Sequence, residues 1–126
     1  MVDVVIWGRL VRLQGSPYTL LEYAREFDSD MLTDLQTAYK RGTFGTEFLQ
    51  FAWAMHKTAD PSISSYEKWL QEFSPEAFNL EDAPWEVIDA ALNAEIFCKK
   101  QTSRAQKIRK CFARFLERMA RYFSAS

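Results

Sequence analysis

The sequence predicts a mainly α fold, a single helical domain of about five helices with a small N-terminal β-hairpin. Apolar residues recur every three or four positions along most of the chain, which is the spacing of one helix face. The first 13 residues instead are rich in valine, isoleucine and leucine around one glycine. With four glycines and four prolines among 126 residues, little of the chain has the composition of a linker, so one domain with its own core is expected.

The N-terminal stretch predicts the hairpin. The segment "VDVVIWGRLVRL", residues 2–13, gives two short strands on either side of a turn at Gly8. A two-stranded hairpin is marginally stable alone, so we expect it to pack against the helices.

The segment from Ser16 to Gly42 predicts helix. Ser16 suits a helix N-cap and Pro17 suits the first turn, while Gly42 suits the end. One apolar face contains Leu20, Ala24, Phe27, Met31, Leu35 and Ala38. The polar residues at 28–30 interrupt this face, so both two helices and one kinked helix fit the pattern.

Two further helices are predicted between residues 46 and 74. The first covers about 46–58, and one face of it contains Phe48, Leu49, Ala52, Met55 and His56. Ser64 and Glu67 match a capping box for the second, and Pro75 ends it. The apolar side of this second helix contains Tyr66, Trp69, Leu70 and Phe73.

The remaining sequence predicts two helices. "NLEDAPWEVIDAALNAEIFCKK" gives one, with Asp82 as its cap and Pro84 in its first turn. The last covers about 102–123, and its apolar seam consists of Ala105, Ile108, Phe112, Phe115, Met119 and Tyr122. The seam alternates steps of three and four through nearly three heptads, which is short for an autonomous coiled coil. We therefore expect it to pack on the domain or on a partner, and to mediate self-association.

The charges divide the chain into two parts. Residues 1–98 carry 16 acidic and 7 basic side chains, a net charge of −9, whereas residues 99–126 carry 9 basic and 1 acidic side chain, a net charge of +8. This predicts an acidic helical domain at 1–98, which includes the hairpin, and a basic amphipathic C-terminal helix at 99–126. Such a helix can dock on the acidic domain, contact a protein partner, lie on a membrane surface or bind nucleic acid.

Nucleic acid and a membrane surface are both disfavoured as partners of the basic helix, and a protein contact is favoured. The acidic domain would repel a polyanion, and no nucleic-acid-binding motif accompanies the charges. The chain contains no run of about 18 apolar residues, so no membrane span is predicted. Cys98 and Cys111 form no CxxC pair, which favours a reduced, intracellular setting, although a disulfide between them stays possible.

No catalytic residue, metal site or cofactor is predicted. His56, in "FAWAMHKTAD", is the only histidine, and the sequence contains no metal-binding, nucleophile-elbow or phosphate-loop motif. His56 shares a helix face with apolar residues near a helix end, where a histidine often bonds to a terminal carbonyl. We therefore expect a structural role for it.

The order of motifs resembles the tail assembly chaperones of long-tailed bacteriophages. An early strand pair is followed by "LLEYAREFDSDMLTDLQ", then "FLQFAWAMHKTAD", a short break and the aromatic "SYEKWLQEF". The resemblance covers about residues 2–98. It implies a mainly helical protein of the infected host's cytoplasm that is absent from the finished virion.

The resemblance also implies partners. Such a chaperone binds the long helical tape measure protein, keeps it soluble, and recruits tail tube subunits. In many such phages a ribosomal frameshift produces a longer form, and the charge break at Lys99–Lys100 falls where such a junction would lie.

Candidate partner-binding residues follow from the aromatic content and from the seam. Tryptophan and tyrosine contribute most to interface energies, although large side chains are also needed in a core. The candidates are Trp53, Tyr66, Trp69, Trp85, Ile108, Phe112, Phe115 and Met119. The alternative function is a small nucleic-acid-associated regulatory protein that binds through its basic C-terminal helix.

Overall fold

A computed structural model of the protein describes residues 1–42 and 45–97. Over these residues the fold is mainly helical with an N-terminal hairpin, which confirms the predicted fold class. The elements are β1 (Val2–Ile6), β2 (Arg9–Leu13), α1 (Pro17–Phe27), α2 (Met31–Arg41), α3 (Glu47–Ala59), α4 (Tyr66–Gln71) and α5 (Trp85–Leu92). A 3₁₀ turn at Leu80–Asp82 precedes α5, and a π-helical turn at Asn93–Phe97 follows it.

The two strands pair antiparallel around a two-residue turn. Ile6 pairs with Arg9, so Trp7 and Gly8 form the turn, with φ angles of +46° and +80°. Left-handed residues at both turn positions give the twist that joins two strands directly. The buried face of the hairpin presents Ile6, Val11 and Leu13 to the core.

The segment between residues 16 and 42 forms two helices and not one kinked helix. Ser16 caps α1, as predicted, and its side chain accepts a hydrogen bond from the amide of Tyr18. Asp28 has φ +50° and ends α1, and Asp30 then caps α2 by accepting from the amide of Thr33. Gly42, at φ +73°, ends α2 as predicted.

The central element is α3, which lies within one residue of the predicted helix. It packs against α1, β2 and α5. Seven of its residues are buried, namely Phe48, Leu49, Phe51, Ala52, Trp53, Ala54 and Met55. A helix buried on most of its circumference forms the middle of a core.

The predicted capping box of α4 is wrong. The N-cap is Ser65, which makes no side-chain cap bond, and the Ser64 hydroxyl instead donates to Glu72 at 2.8 Å. The first amide of the helix, on Tyr66, donates to the carboxylate of Glu26 at 2.7 Å. The Glu26 carboxylate of α1 therefore bonds to the first turn of α4 in place of the predicted Ser64–Glu67 capping box.

The predicted start of α5 is also wrong. Asp82 closes the 3₁₀ turn, whose N-cap is Asn79, and it does not cap α5. Pro84 stands at the N-cap position of α5, outside its first turn, and provides no side-chain bond.

The π-helical turn closes the domain onto Gly15, two residues after the hairpin. The buried Glu95 carboxylate accepts from the amide of Gly15 at 3.1 Å and from the amino group of Met1 at 2.6 Å. A Cβ atom at Gly15 would lie 2.3 Å from the carbonyl oxygen of Glu95, so only glycine fits there.

Across residues 1–42 and 45–97, every helix is too short or too polar to cross a membrane. Thr43, Phe44 and residues 98–126 lie outside the described part of the chain. The basic C-terminal helix, its seam, the boundary at 98/99 and the pairing of Cys98 with Cys111 therefore stay predictions.

Candidate partner-binding groove

Four aromatic rings gather at the tip of the hairpin, and we call them the tip cluster: Trp7, Phe73, Phe78 and Trp85. The ring centroid of Trp7 lies 6.0 Å from that of Phe73, 4.9 Å from that of Phe78 and 6.4 Å from that of Trp85. The Trp7 indole N–H donates to the carbonyl oxygen of Asn79 at 3.0 Å. The hairpin turn therefore positions the indole around which the loop after α4 is arranged.

A groove of about 530 Å³ opens beside the tip cluster, and we call it the tip groove. Its lining consists of Trp7, Leu49, Leu70, Gln71, Phe73, Ser74, Pro75 and Phe78. Phe78 is 53% exposed, and Leu80, two residues further on, is 69% exposed. A concave, mainly apolar surface with exposed large side chains at its margin is typical of a binding site.

Arg9 secures one side of the groove. Its guanidinium carbon lies 5.0 Å from the ring centroid of Phe73, and its N–H groups donate to the Trp69 carbonyl at 3.5 Å and to Glu72 at 3.2 Å. Cation–π contact and hydrogen bonds together hold the end of α4 against the hairpin. The groove thus joins the N-terminal hairpin to residues from the middle of the sequence.

The chain segment that supplies most of the groove lining is acidic, and Arg9 is a basic residue packed beside it. Residues 69–97 contain seven acidic side chains and no basic one. The acidic residues Glu76, Glu81, Asp82 and Glu86 are exposed. An apolar groove in an acidic surrounding favours a partner with an apolar seam flanked by basic residues.

A second, smaller groove lies where α1 and α2 meet the π-helical turn. It has a volume of about 350 Å³ and contains Pro17, Leu20, Leu32 and Ile96 in its lining. None of its lining residues is aromatic, and Pro17 and Leu32 are exposed. Leu32 therefore provides a control position for variants at Phe78.

The predicted partner-binding residues do not form one surface. Trp53 is 2% exposed and donates its indole N–H to the carbonyl of Ser64 at 3.0 Å, and Trp69 is fully buried. Both indoles serve the core in this structure. Partner contact through either would require the packing to open, and stays a prediction.

Tyr66 and Trp85 are half-buried. Tyr66 packs against Phe27, Trp53 and Trp69, and burial raises the pKa of its hydroxyl to about 12. Trp85 belongs to the tip cluster through its contact with Trp7, although it does not line the groove. Ile108, Phe112, Phe115 and Met119 lie outside the described residues.

Sequence reasoning missed Trp7 and Phe78. A signal for each was present, because a tryptophan beside Gly8 in a two-residue turn and a phenylalanine in the breaker-rich "SPEAFNLEDAP" both lie outside the helical periodicity. Apolar residues at such positions have no helix face to belong to. Nothing in the sequence indicates that Trp7 and Phe78 contact each other.

His56 has a structural partner, although not the predicted one. Its Nδ1 lies 2.8 Å from the carbonyl oxygen of Arg12, so it joins the end of α3 to β2 and does not bond to a carbonyl at its own helix end. It also lines a shallow depression of about 380 Å³ together with Asp3 and Asp60.

The two carboxylates of this depression are already engaged. The hydrogen bond from Arg12 lowers the pKa of Asp3, and hydrogen bonds from Ser62 lower that of Asp60. Within residues 1–42 and 45–97, no group of three or more histidine, cysteine or acidic side chains is arranged to hold a metal ion. That the protein is not an enzyme and uses no cofactor stays a prediction.

Comparison of the chain with protein-family models, with curated proteins and with solved structures finds no match. The observations that bear on function are therefore the tip groove, the charge distribution and the sequence resemblance.

Proposed function

We propose that the protein is a phage tail assembly chaperone that binds the tape measure protein in the host cytoplasm during tail morphogenesis. The tip groove carries this proposal, since it presents exposed Phe78 beside a preformed apolar surface. The sequence resemblance supplies the identity of the partner, and tail tube subunits are a second partner that it implies.

The chemistry of the groove suits a helical client. A long helical chain presents apolar side chains at i, i+3 and i+4, and such anchors dock into a hydrophobic groove. Covering an exposed seam keeps the client soluble, because uncovered apolar patches promote association. A groove of this size covers only a short length of seam, so several chaperone copies would protect one tape measure protein.

Co-expression tests the proposal. The full chain is produced together with the very long reading frame that we expect immediately downstream of its gene. The long product should remain soluble and co-purify with the chain. Phe78→Glu should abolish co-purification, whereas Leu32→Glu, at an exposed leucine of the other groove, should preserve it.

Two outcomes would contradict the proposal. The long product could be equally insoluble with and without the chain, or both variants could retain the same amount of it. Circular dichroism of each variant establishes that the fold is intact.

The basic segment at 99–126 supports a second candidate function, a nucleic-acid-associated regulator. Binding of a labelled duplex and a labelled single strand is measured at about 150 mM salt, where charges are screened beyond about 8 Å. Submicromolar affinity that is lost when Arg109, Lys110, Arg114 and Arg118 are changed to Gln would favour it. We expect no such affinity, because the acidic domain repels a polyanion.

A further inference from the structure

We infer that the chain covers its own tip groove: the segment 104–122 seats Ile108, Phe112, Phe115 and Met119 in the groove until a partner displaces it. The displacement rests on the proposed function, whereas the self-covering does not. The occupant is a named segment of this chain, and three properties of the described residues lead to it.

The first property is charge. The segment that supplies most of the groove lining is acidic, whereas residues 104–122 carry seven basic side chains and one acidic side chain. Glu76, Glu81, Asp82 and Glu86 are all exposed, so their charges are available to basic side chains that flank a seated seam. Each exposed pair contributes little, but opposite fields of this extent select the orientation and the partner.

The second property is the apolar match. The groove presents aromatic rings, of which Phe78 is 53% exposed, and Leu80, two residues further along the chain, is 69% exposed. A solvated helix with Phe112 and Phe115 on one face would expose a second apolar surface on the same molecule. Seating one on the other removes both from water, at about 25 cal/mol for each Å² of apolar surface buried.

The third property is reach. Trp85 contacts the tip cluster, and α5 with its π-helical turn leads from there to Phe97. At about 1.5 Å per residue, Phe97 lies roughly 18 Å along the chain from Trp85 of the tip cluster. Residues 98–107 span up to about 33 Å when extended, which is sufficient for the chain to return.

Tethering strengthens the contact. A segment joined to its site through a short linker has an effective concentration in the millimolar range, so even a weak seam–groove contact is populated. A client helix must then exceed this intramolecular competitor. The device would reserve the groove for partners with a longer or better-matched seam.

Photo-crosslinking within the full chain tests the inference. The chain has two cysteines, so Cys98→Ser leaves Cys111 as the single site for a benzophenone maleimide. Cys111 is three residues after Ile108 and four before Phe115, a spacing that belongs to the seam face of the helix predicted from the sequence. After illumination, mass spectrometry should find Cys111 joined to residues 70–80 of the same chain, in a product of monomer mass.

Matched variants fix the site. Phe78→Glu should lower the yield of this crosslink severalfold, and Leu32→Glu should leave it unchanged. Changing Arg109, Lys110, Arg114 and Arg118 together to Gln should also lower the yield, without altering the groove. Label on Cys98, with Cys111→Ser, should react near Ile96 and not at residues 70–80.

Crosslinks that join two chains, that map elsewhere, or that ignore both Phe78→Glu and the Gln variant would overturn the inference. No client is present in this experiment, so its result is separate from that of co-expression. A crosslink in the groove without co-purification would retain the self-covering and refute the chaperone. Co-purification without the crosslink would do the reverse.

Discussion

Two aromatic clusters of this domain use the same hydrogen-bonding device with different results. In the core cluster, formed by Tyr23, Phe27, Phe51, Trp53 and Tyr66, the Trp53 indole donates to the carbonyl of Ser64 at 3.0 Å. In the tip cluster the Trp7 indole donates to the carbonyl of Asn79, also at 3.0 Å.

Each indole thus fixes a loop against secondary structure, but only the core cluster is closed. Helices α1, α3 and α4 enclose Trp53, whereas the tip cluster is bordered by a loop and leaves Phe78 half exposed. An indole–carbonyl bond orders a loop without completing its packing. The open cluster is therefore the one that can accept another chain.

The largest loss of stability is expected from truncating Trp53 in the closed core cluster. Trp53→Ala should lower the free energy of unfolding by about 3–5 kcal/mol, because it empties the core and leaves the Ser64 carbonyl without its donor. Urea denaturation measures it. Trp85→Ala, which truncates a half-buried tryptophan of the tip cluster, should have a clearly smaller effect, and equal losses would erase the distinction between the clusters.

The hairpin turn gives the next effect. Gly8→Ala should reduce stability by about 1–2 kcal/mol, because an L side chain is disfavoured at φ +80°. Gly42→Ala is the matched control, since Gly42 has φ +73° and nothing within 4 Å of an added Cβ. The nearest atom to a Cβ at Gly8 is the Cβ of Ala77 at 3.7 Å, an ordinary contact, so the two losses should agree. A much larger loss at Gly8 would mean that the turn supports the tip cluster energetically.

Phe78→Ala should separate stability from binding. A ring that is half exposed in the folded state contributes about 1 kcal/mol through burial, so the melting temperature should fall only slightly. Binding to the tape measure protein should weaken at least tenfold, as measured by co-purification and titration. A variant with wild-type binding would move the partner site away from the tip cluster.

The smallest effect concerns Asp89 on α5. Burial raises the pKa of its carboxyl above the ordinary 3.8, although the hydrogen bond from Tyr39 acts in the opposite direction. A raised pKa in the folded state contributes stability that is complete below 3.8 and is lost as the pH rises through the folded value. Asp89→Asn keeps an acceptor for Tyr39 and does not titrate. In urea denaturation the variant should therefore gain stability relative to the wild-type protein as the pH rises from below 3.8 through the folded pKa of Asp89, and a difference that is independent of pH would contradict the shift.

The parts of the fold that the sequence predicted are those with local causes. Ser16 caps α1 through the amide of Tyr18, two residues away, and Gly42 ends α2 through its own backbone angle. The apolar periodicity of α3 predicted its bounds to within one residue. Such signals are complete within a few positions of the sequence.

The parts that the sequence did not predict depend on distant residues. The first amide of α4 bonds to Glu26, 40 positions away, so the local Ser64–Glu67 pattern loses to a tertiary partner. The Trp7 indole donates a hydrogen bond to Asn79, 72 positions away, and no sequence pattern near either residue predicts this contact. The tip groove could therefore not be predicted from the sequence, although aromatic binding residues were expected.

The close approach of Gly15 to Glu95 has a consequence for synthesis. The two residues are 80 positions apart, so the contact that closes the domain cannot form until the ribosome has released almost all of the described chain. At about 5–20 residues per second, the hairpin waits roughly 4–16 s for its last partner. Because α3 packs against β2, the apolar face of the hairpin stays uncovered in the nascent chain at least until α3 has been synthesised, and a host factor that shields hydrophobic segments would meet it in that time.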